Sequence, residues 1–216
     1  MNIRPRLLLA DDHKLVLEGF QRILEPEFEI VSKVENGRAL LDEAIDLQPD
    51  VILIDISMPL LNGIDAARLL SKRCPRTKLI IVTMHSDLKY VTEAFRAGAS
   101  GFILKRSKPK ELRNAIWAVL KGEQYLAPQM QIDYQEILTN TDRPQPARLP
   151  GLGHRQREVL QLVAEDRSNK EIAHILKLSE KTVEFHRSVI AENLGTKNKA
   201  EWVRFAIEAG LIVPET

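Results

Sequence analysis

Residues 50–59 read DVILIDISMP, and this stretch decides the fold. Val51 to Ile54 form a continuous apolar run, the pattern of a strand buried on both faces. The run ends on Asp55, with Met58 and Pro59 close behind. A carboxylate at the tip of a buried strand must be solvated, paired or put to chemical use, because an unpaired buried charge costs several kcal/mol or shifts its pKa.

Outward from this stretch the pattern repeats. Apolar runs stand at 7–10 (LLLA), 29–34 (EIVSKV), 79–83 (LIIVT) and 101–105 (GFILK). Between them lie helical patterns. In the first, Val16, Phe20, Ile23 and Leu24 share one face, and later ones fit 37–47, 62–73, 88–97 and 109–121. Pro109 suits a first helical turn, with Ser107 as its expected cap. Strands alternating with helices predict a five-stranded parallel, doubly wound α/β domain over residues 1–125. The next segment, 126–149, reads as a linker, with prolines at 128, 144 and 146 and a short helical piece near Tyr134 to Leu138. Residues 150–216 read as a small all-α domain. No repeat or low-complexity tract interrupts this order.

The totals restrict the choices. The 216 residues allow one large domain or two small ones, and 31 Lys+Arg against 30 Asp+Glu give a net charge of +1, so bulk charge points to no class of partner. The lone cysteine, Cys74, cannot form an internal disulfide and reads as an incidental loop thiol in a reducing compartment. The apolar run at Leu7–Ala10 is too short for the core of a signal peptide, and no stretch approaches the ~18 apolar residues of a membrane span. The expected location is cytoplasmic, with no membrane partner.

In doubly wound sheets ligands gather at the carboxyl ends of the strands. Those ends carry Asp11 and Asp12 after the first strand, Asp55 after the third, Thr83 on the fourth and Lys105 on the fifth. Three carboxylates in one crevice call for a cation, and an all-oxygen, partly hydrated set suits Mg²⁺. A hydroxyl and an ammonium beside them complete a phosphoryl site, in which Asp55 can act as a nucleophile and form an aspartyl phosphate. Taken singly, each of these residues also fits a solvated strand end, a surface ion pair or, for Asp12, a helix cap. Together, LLLADDH, PDVILIDISMPLLNGIDAAR, LIIVTMHSD and AGASGFILK resemble the receiver domain of two-component response regulators, a flavodoxin-like fold, across residues 5–125. The resemblance implies that Asp55 accepts a phosphoryl group from a sensor histidine kinase. It implies that Asp11, Asp12 and Asp55 hold Mg²⁺ with the backbone carbonyl of Ser57, and that Thr83 and Lys105 contact the phosphoryl oxygens. Phe102 matches the family's switch aromatic, while Pro59 and Gly63 match the turn after the acceptor. Met84, next to Thr83, is expected to shield the acyl phosphate from water; an ordinary packed methionine is the alternative.

The last third has helix-turn-helix grammar. Val159, Leu160 and Val163 mark a first helix, and Ser168 with Glu171 makes a capping box for a short second helix bearing Ile172, Ala173 and Leu176. After KLSEK a longer helix begins near Lys181, and Asn198 with Glu201 opens a last one. On the third helix Val183, Ile190 and Leu194 define the core side, with Lys181, Phe185, Ser188 and Glu192 roughly opposite. Residues 150–216 hold 10 Lys+Arg and 10 Asp+Glu, a net of 0. Lys170, Lys181, Arg187, Lys197 and Lys199 are the candidate phosphate contacts. SNKEIAHILKLSEKTVEFHRSVIAENLG resembles the LuxR-type helix-turn-helix of NarL/FixJ-family regulators over 150–212. By that resemblance Glu184, Phe185 and Ser188 read bases of double-stranded DNA, with Lys181 near the backbone. Gln156, Asp166 and Asn193 depart from the family's usual acid, Gly and Lys. Trp202 and Ala206 lie on one side of the last helix and Val203 and Ile207 on another, and the resemblance implies a homodimer through this helix.

The function expected is a phosphorylation-controlled transcription regulator rather than a conventional enzyme. Two alternatives use the same residues differently. An aspartate-nucleophile phosphatase of the haloacid dehalogenase kind would carry Asp-x-Asp on its first strand, whereas this chain has adjacent Asp11 and Asp12. A phosphorylation-independent DNA binder would use the receiver only to dimerise.

Overall fold

The computed structural model describes residues 4–131 and 151–212. Most of the segment expected as a linker, including the helical piece near Tyr134 to Leu138, lies outside the described residues. The chain divides into two compact units, one carrying the sheet and the other helices only.

The first unit runs β1 (Arg6–Ala10), α1 (Lys14–Leu24), β2 (Glu29–Val34), α2 (Gly37–Leu47), β3 (Val51–Ile54), α3 (Gly63–Arg73), β4 (Lys78–Thr83), α4 (Leu88–Arg96), β5 (Gly101–Leu104), α5 (Pro109–Leu120) and β6 (Tyr125–Leu126). All neighbouring strands are parallel, in the order β2-β1-β3-β4-β5-β6. The sheet thus has six strands where the sequence predicts five. β6 is two half-buried residues long, too short to show any period, and it forms only because Tyr125 and Leu126 pair with Gly101 and Phe102. The strand order reverses at β1 and β3, so the carboxyl ends of these neighbours open on one crevice.

Alternate strand residues pack on opposite faces. Leu7, Leu9, Leu53, Val82 and Ile103 join Leu17 and Leu24 of α1 and Ile116 and Val119 of α5 in one buried cluster. On α1, Phe20 and Ile23 flank that cluster and Val16 is only half-buried, so the apolar stripe is centred on Leu17 and Leu24. α2, α3 and α4 pack against one another and against the sheet through β1, β4 and β5. Cys74 is fully buried at the end of α3 and is not a loop thiol.

The expected cap of α5 differs, and the capping alternative for Asp12 is not found. The residue before α5 is Lys108, which makes no side-chain cap, because Pro109 takes the first helical position. The Ser107 hydroxyl is buried without a hydrogen-bond partner. His13, not Asp12, precedes α1, and it too caps with no side-chain bond. Asn62 does cap α3, accepting from the Asp65 amide. Gly63 follows at the first turn, against the backbone of Asp55. A methyl group there would overlap the Asp55 carbonyl oxygen and lie 2.9 Å from Ile54 Cγ2.

The second unit holds α6 (His154–Ala164), α7 (Asn169–Leu176), α8 (Glu180–Leu194) and α9 (Lys199–Glu208). Val159, Leu160, Val163, Ile172, Leu176, Val183, Ile190, Trp202 and Ala206 form its core. The capping box is present: the Glu171 amide donates to Ser168 Oγ and the Ser168 amide to Glu171 Oε2. α8 starts one residue before Lys181, capped by Ser179. Asp166 takes the left-handed conformation, φ 65°, that glycine adopts most easily. Its carboxylate pairs with Lys199.

Candidate functional site

The crevice is fixed by backbone bonds that carry each ladder one residue past its strand. Asp55 N donates to Ala10 O at 2.8 Å, Asp11 N to Val34 O at 3.1 Å and Lys105 N to Thr83 O at 2.8 Å. The side chains that follow therefore have little freedom. Asp11 and Asp55 are 2% and 3% exposed, and the Lys105 ammonium lies between them, 2.6 Å from Asp11 Oδ2 and 3.0 Å from Asp55 Oδ2. Asp55 Oδ1 accepts from the Ile56 amide at 2.8 Å, and Asp11 Oδ1 from the His13 amide at 3.0 Å. The acid at the strand tip is thus paired, through Oδ2 with Lys105 and through Oδ1 with the Ile56 amide.

Burial pushes the Asp55 carboxyl above its ordinary value; Lys105 opposes this, while Asp11 and Asp12 add to it. Burial works against the Lys105 ammonium, but Asp55 and Asp11 outweigh it and hold the amine protonated beyond its usual range. One cation among three carboxylates leaves negative charge uncompensated. Oxygens of Asp11, Asp12 and Asp55, with a ring nitrogen of His13, lie within 4.8 Å of one another. Asp11 Oδ2 is buried and pairs with the Lys105 ammonium. This acidic, oxygen-rich cluster fits a small hard divalent cation such as Mg²⁺. His13 was not legible as a member; its Nδ1 is 2.7 Å from Asp12 Oδ1.

Thr83 is fully buried, and its hydroxyl accepts from the His85 amide at 3.3 Å. The His85 ring meets Ser57 Oγ at 3.1 Å and stacks, tilted, on Tyr90 of α4 at 4.8 Å. Burial, with Lys89 and Lys105, pushes this imidazole below its ordinary value. Sequence position alone does not reveal that Ser57 and His85 bond to each other. Met84 is 64% exposed beside Thr83, which removes the ordinary packed-core alternative for it. Phe102 is wholly buried on β5.

In the second unit Lys181, Glu184, Phe185, Ser188 and Glu192 are exposed together on α8, Phe185 at 63%. Ser188 Oγ donates to the Glu184 carbonyl at 3.0 Å. Lys170 and Lys197 are exposed, while Lys199 is engaged with Asp166. Arg187 does not join this face: its guanidinium meets Asn169 and Trp202. On α9, Trp202 and Ala206 enter the core, whereas Val203 and Ile207 remain half-exposed outside it.

Comparison with known proteins matches both units. Residues 7–117 match the response regulator receiver domain, and residues 150–206 match the bacterial regulatory proteins of the luxR family. The transcriptional regulatory protein DegU of Brevibacillus brevis is 35% identical, over 96% of this chain and 94% of that protein. The oxygen regulatory protein NreC of Staphylococcus carnosus is also 35% identical, over 96% of this chain and 99% of its own. Among solved structures, RcsB dimers bound to two parallel DNAs superpose with a TM-score of 0.60 at 25% identity, covering 95% of this chain and 98% of that one.

Proposed function

The chain belongs to the response regulators that join a receiver domain to a LuxR-type DNA-binding domain, and on that premise we propose that phosphorylation of Asp55 controls its binding to promoter DNA. The receiver spans 1–125, the linker 126–149 and the DNA-binding domain 150–216. The phosphodonor is a sensor histidine kinase. An Asp55 carboxylate oxygen attacks phosphorus, the new P–O bond forms as the donor's P–N bond breaks, and the kinase imidazole departs. The observation that carries this reading is the Lys105 ammonium set between the buried carboxylates of Asp11 and Asp55. It holds Asp55 in place before transfer and offers a charge to the phosphoryl oxygens afterwards.

Asp11, Asp12, Asp55 and the Ser57 carbonyl would hold Mg²⁺, which when bound would neutralise the charge that accumulates on the transferring group. Thr83 donates its hydroxyl to a phosphoryl oxygen, and Phe102 follows as the switch aromatic. That contact biases a two-state element, so the protein is a signalling switch and not a conventional enzyme. Lys181 binds backbone phosphate at the start of α8, and Lys197 and Lys199, beyond its other end, are the further phosphate contacts. Glu184, Phe185 and Ser188 read base edges in the major groove: Glu184 suits a cytosine amino group and Phe185 a thymine methyl. Val203 and Ile207 supply a homodimer contact, consistent with the dimeric, DNA-bound state of RcsB. The protein acts in the cytoplasm; no described helix is long and apolar enough to cross a membrane.

The test is DNA affinity at fixed salt before and after treatment with a small phosphodonor and Mg²⁺. Affinity is expected to rise by about 5–150-fold, the usual size of an allosteric coupling, and not to rise in Asp55→Asn. Equal affinity in all samples would favour the phosphorylation-independent alternative. The exposed Met84 covers the acyl phosphate against water. Met84→Ala is therefore expected to shorten the phosphate lifetime several-fold, measured by loss of the adduct with time; an unchanged decay would contradict the shielding role.

A further inference from the structure

Arg187 stands on α8 between Phe185 and Ser188, where its charge alone would count it among the cations for DNA. Its direction is different. At about 100° per residue it lies about 40° from Val183, on the core side, whereas Lys181, Phe185 and Ser188 lie at about 160°, 200° and 140°. The guanidinium turns back into the unit: Nη1 donates to Asn169 Oδ1 at 3.0 Å, and Cζ lies 5.5 Å from the centroid of the Trp202 ring. Asn169 is the first residue of α7, directly after the Ser168 cap. Trp202 is buried on α9, and its indole N–H donates to the Thr196 carbonyl at 2.9 Å. One half-buried side chain on α8 therefore touches the start of α7 and the core of α9.

We propose that Arg187 is a positioning residue for DNA recognition, one that sets the tilt of α8 against α7 and α9 and makes no phosphate contact. The inference rests on the DNA-binding role proposed above. Only a planar guanidinium can stack on the indole and donate in its own plane to Asn169; a lysine can do one or the other. The exposed face of α8 needs a fixed tilt for Glu184 and Phe185 to reach base edges, whereas phosphate contacts by flexible lysines tolerate a change of tilt. Loss of Arg187 therefore degrades sequence selectivity and leaves electrostatic attraction in place.

The experiment compares full-length wild type, Arg187→Lys, Arg187→Met, Asn169→Ala and Lys181→Ala across a salt series. Two probes are used: a random-sequence duplex of about 30 base pairs, and a duplex enriched by the wild type from a random library. Lys181→Ala, which removes a backbone contact, is expected to lower the salt slope on the random duplex by about 0.9. Both Arg187 variants and Asn169→Ala are expected to keep the wild-type slope and to lose roughly tenfold in the ratio of enriched to random affinity. Arg187→Lys is expected to give no rescue. Asn169→Ala leaves α8 untouched and keeps the test valid if Arg187→Met fails to fold. A slope lowered by about 0.9 in Arg187→Met and restored in Arg187→Lys would overturn the proposal, because that is the signature of a phosphate contact. An unchanged ratio would overturn it as well. A wild type that binds neither probe in a salt-dependent way would remove the DNA-binding role itself, and the positioning role with it.

Discussion

Gly63→Ala is expected to destabilise the receiver by about 3 kcal/mol and to abolish its phosphorylation, because the added methyl group would overlap the Asp55 backbone, which cannot swing aside as a flexible side chain can. It would lie 2.8 Å from the Asp55 carbonyl carbon and 2.9 Å from Ile54 Cγ2. The two atoms lie at the end of β3 and one residue past it, where Asp55 N is tied to Ala10 O. Relief by a shift of α3 is opposed by Asn62, which caps the same turn, and by the bond from the Gly63 amide to the Ile56 carbonyl at 2.9 Å. Strain at Gly63 thus passes directly to the acceptor. Urea unfolding of the variant, read beside its phosphoryl uptake, checks this; a midpoint equal to that of the wild type would contradict it.

Lys105→Met is expected to have a comparable cost, and one that depends on pH. Its ammonium is the only cation in contact with both Asp11 and Asp55 among the described residues. Removing one partner of a buried pair costs about 3–5 kcal/mol, because the remaining charge stays uncompensated. The sign of the pH dependence follows from Asp55. Burial already raises its folded value above the ordinary one, so the folded state keeps that proton to higher pH than the unfolded state does. Stability is therefore lost as pH rises through the interval between the ordinary and the raised value. Without Lys105 the folded value rises further and the interval widens. The variant is expected to be weakest against the wild type near pH 8 and to approach it as the carboxyls protonate towards about pH 4. Mg²⁺ is expected to restore part of the loss at the higher pH. Denaturant midpoints across this range are the measurement, and a cost independent of pH would refute the shared counter-ion role.

The sheet was legible because its strands announce themselves. Val51–Ile54 and Gly101–Leu104 are continuous apolar runs bounded by polar residues, and their observed limits fall within one residue of the expected ones. β6 was not legible, since two residues cannot show a period and only pairing with β5 makes them a strand. The carboxylates, Thr83 and Lys105 could be placed at strand tips because a parallel sheet brings all its carboxyl ends to one edge. What the tips could not reveal is which neighbours turn towards them. His13 joins the acidic cluster, and His85 bonds to Ser57, by side-chain directions that belong to tertiary packing. Ser107 failed as a cap because Pro109 places the helix start one residue later than the hydroxyl needs.

The second unit shows the same division. The capping box at Ser168 and the core positions Val183 and Ile190 follow from local pattern and are found as expected. The charge of a lysine or arginine, by contrast, says nothing about its partner. Lys199 is held by Asp166 and Arg187 by Asn169, so two of the cations assigned to DNA on charge have partners within the unit. Asp166 is a further case, a left-handed residue at φ 65° that pairs with a lysine distant in sequence.

The central claim is that Asp55 is a phosphoacceptor. Its most direct test is the intact mass of the full chain after incubation with a small phosphodonor and Mg²⁺, beside Asp55→Asn and a sample with the cation chelated. One phosphoryl adduct is expected on the wild type with Mg²⁺, and none on Asp55→Asn or without the cation. An adduct that persists in Asp55→Asn, or none on a wild type supplied with several donors and Mg²⁺, would contradict the claim.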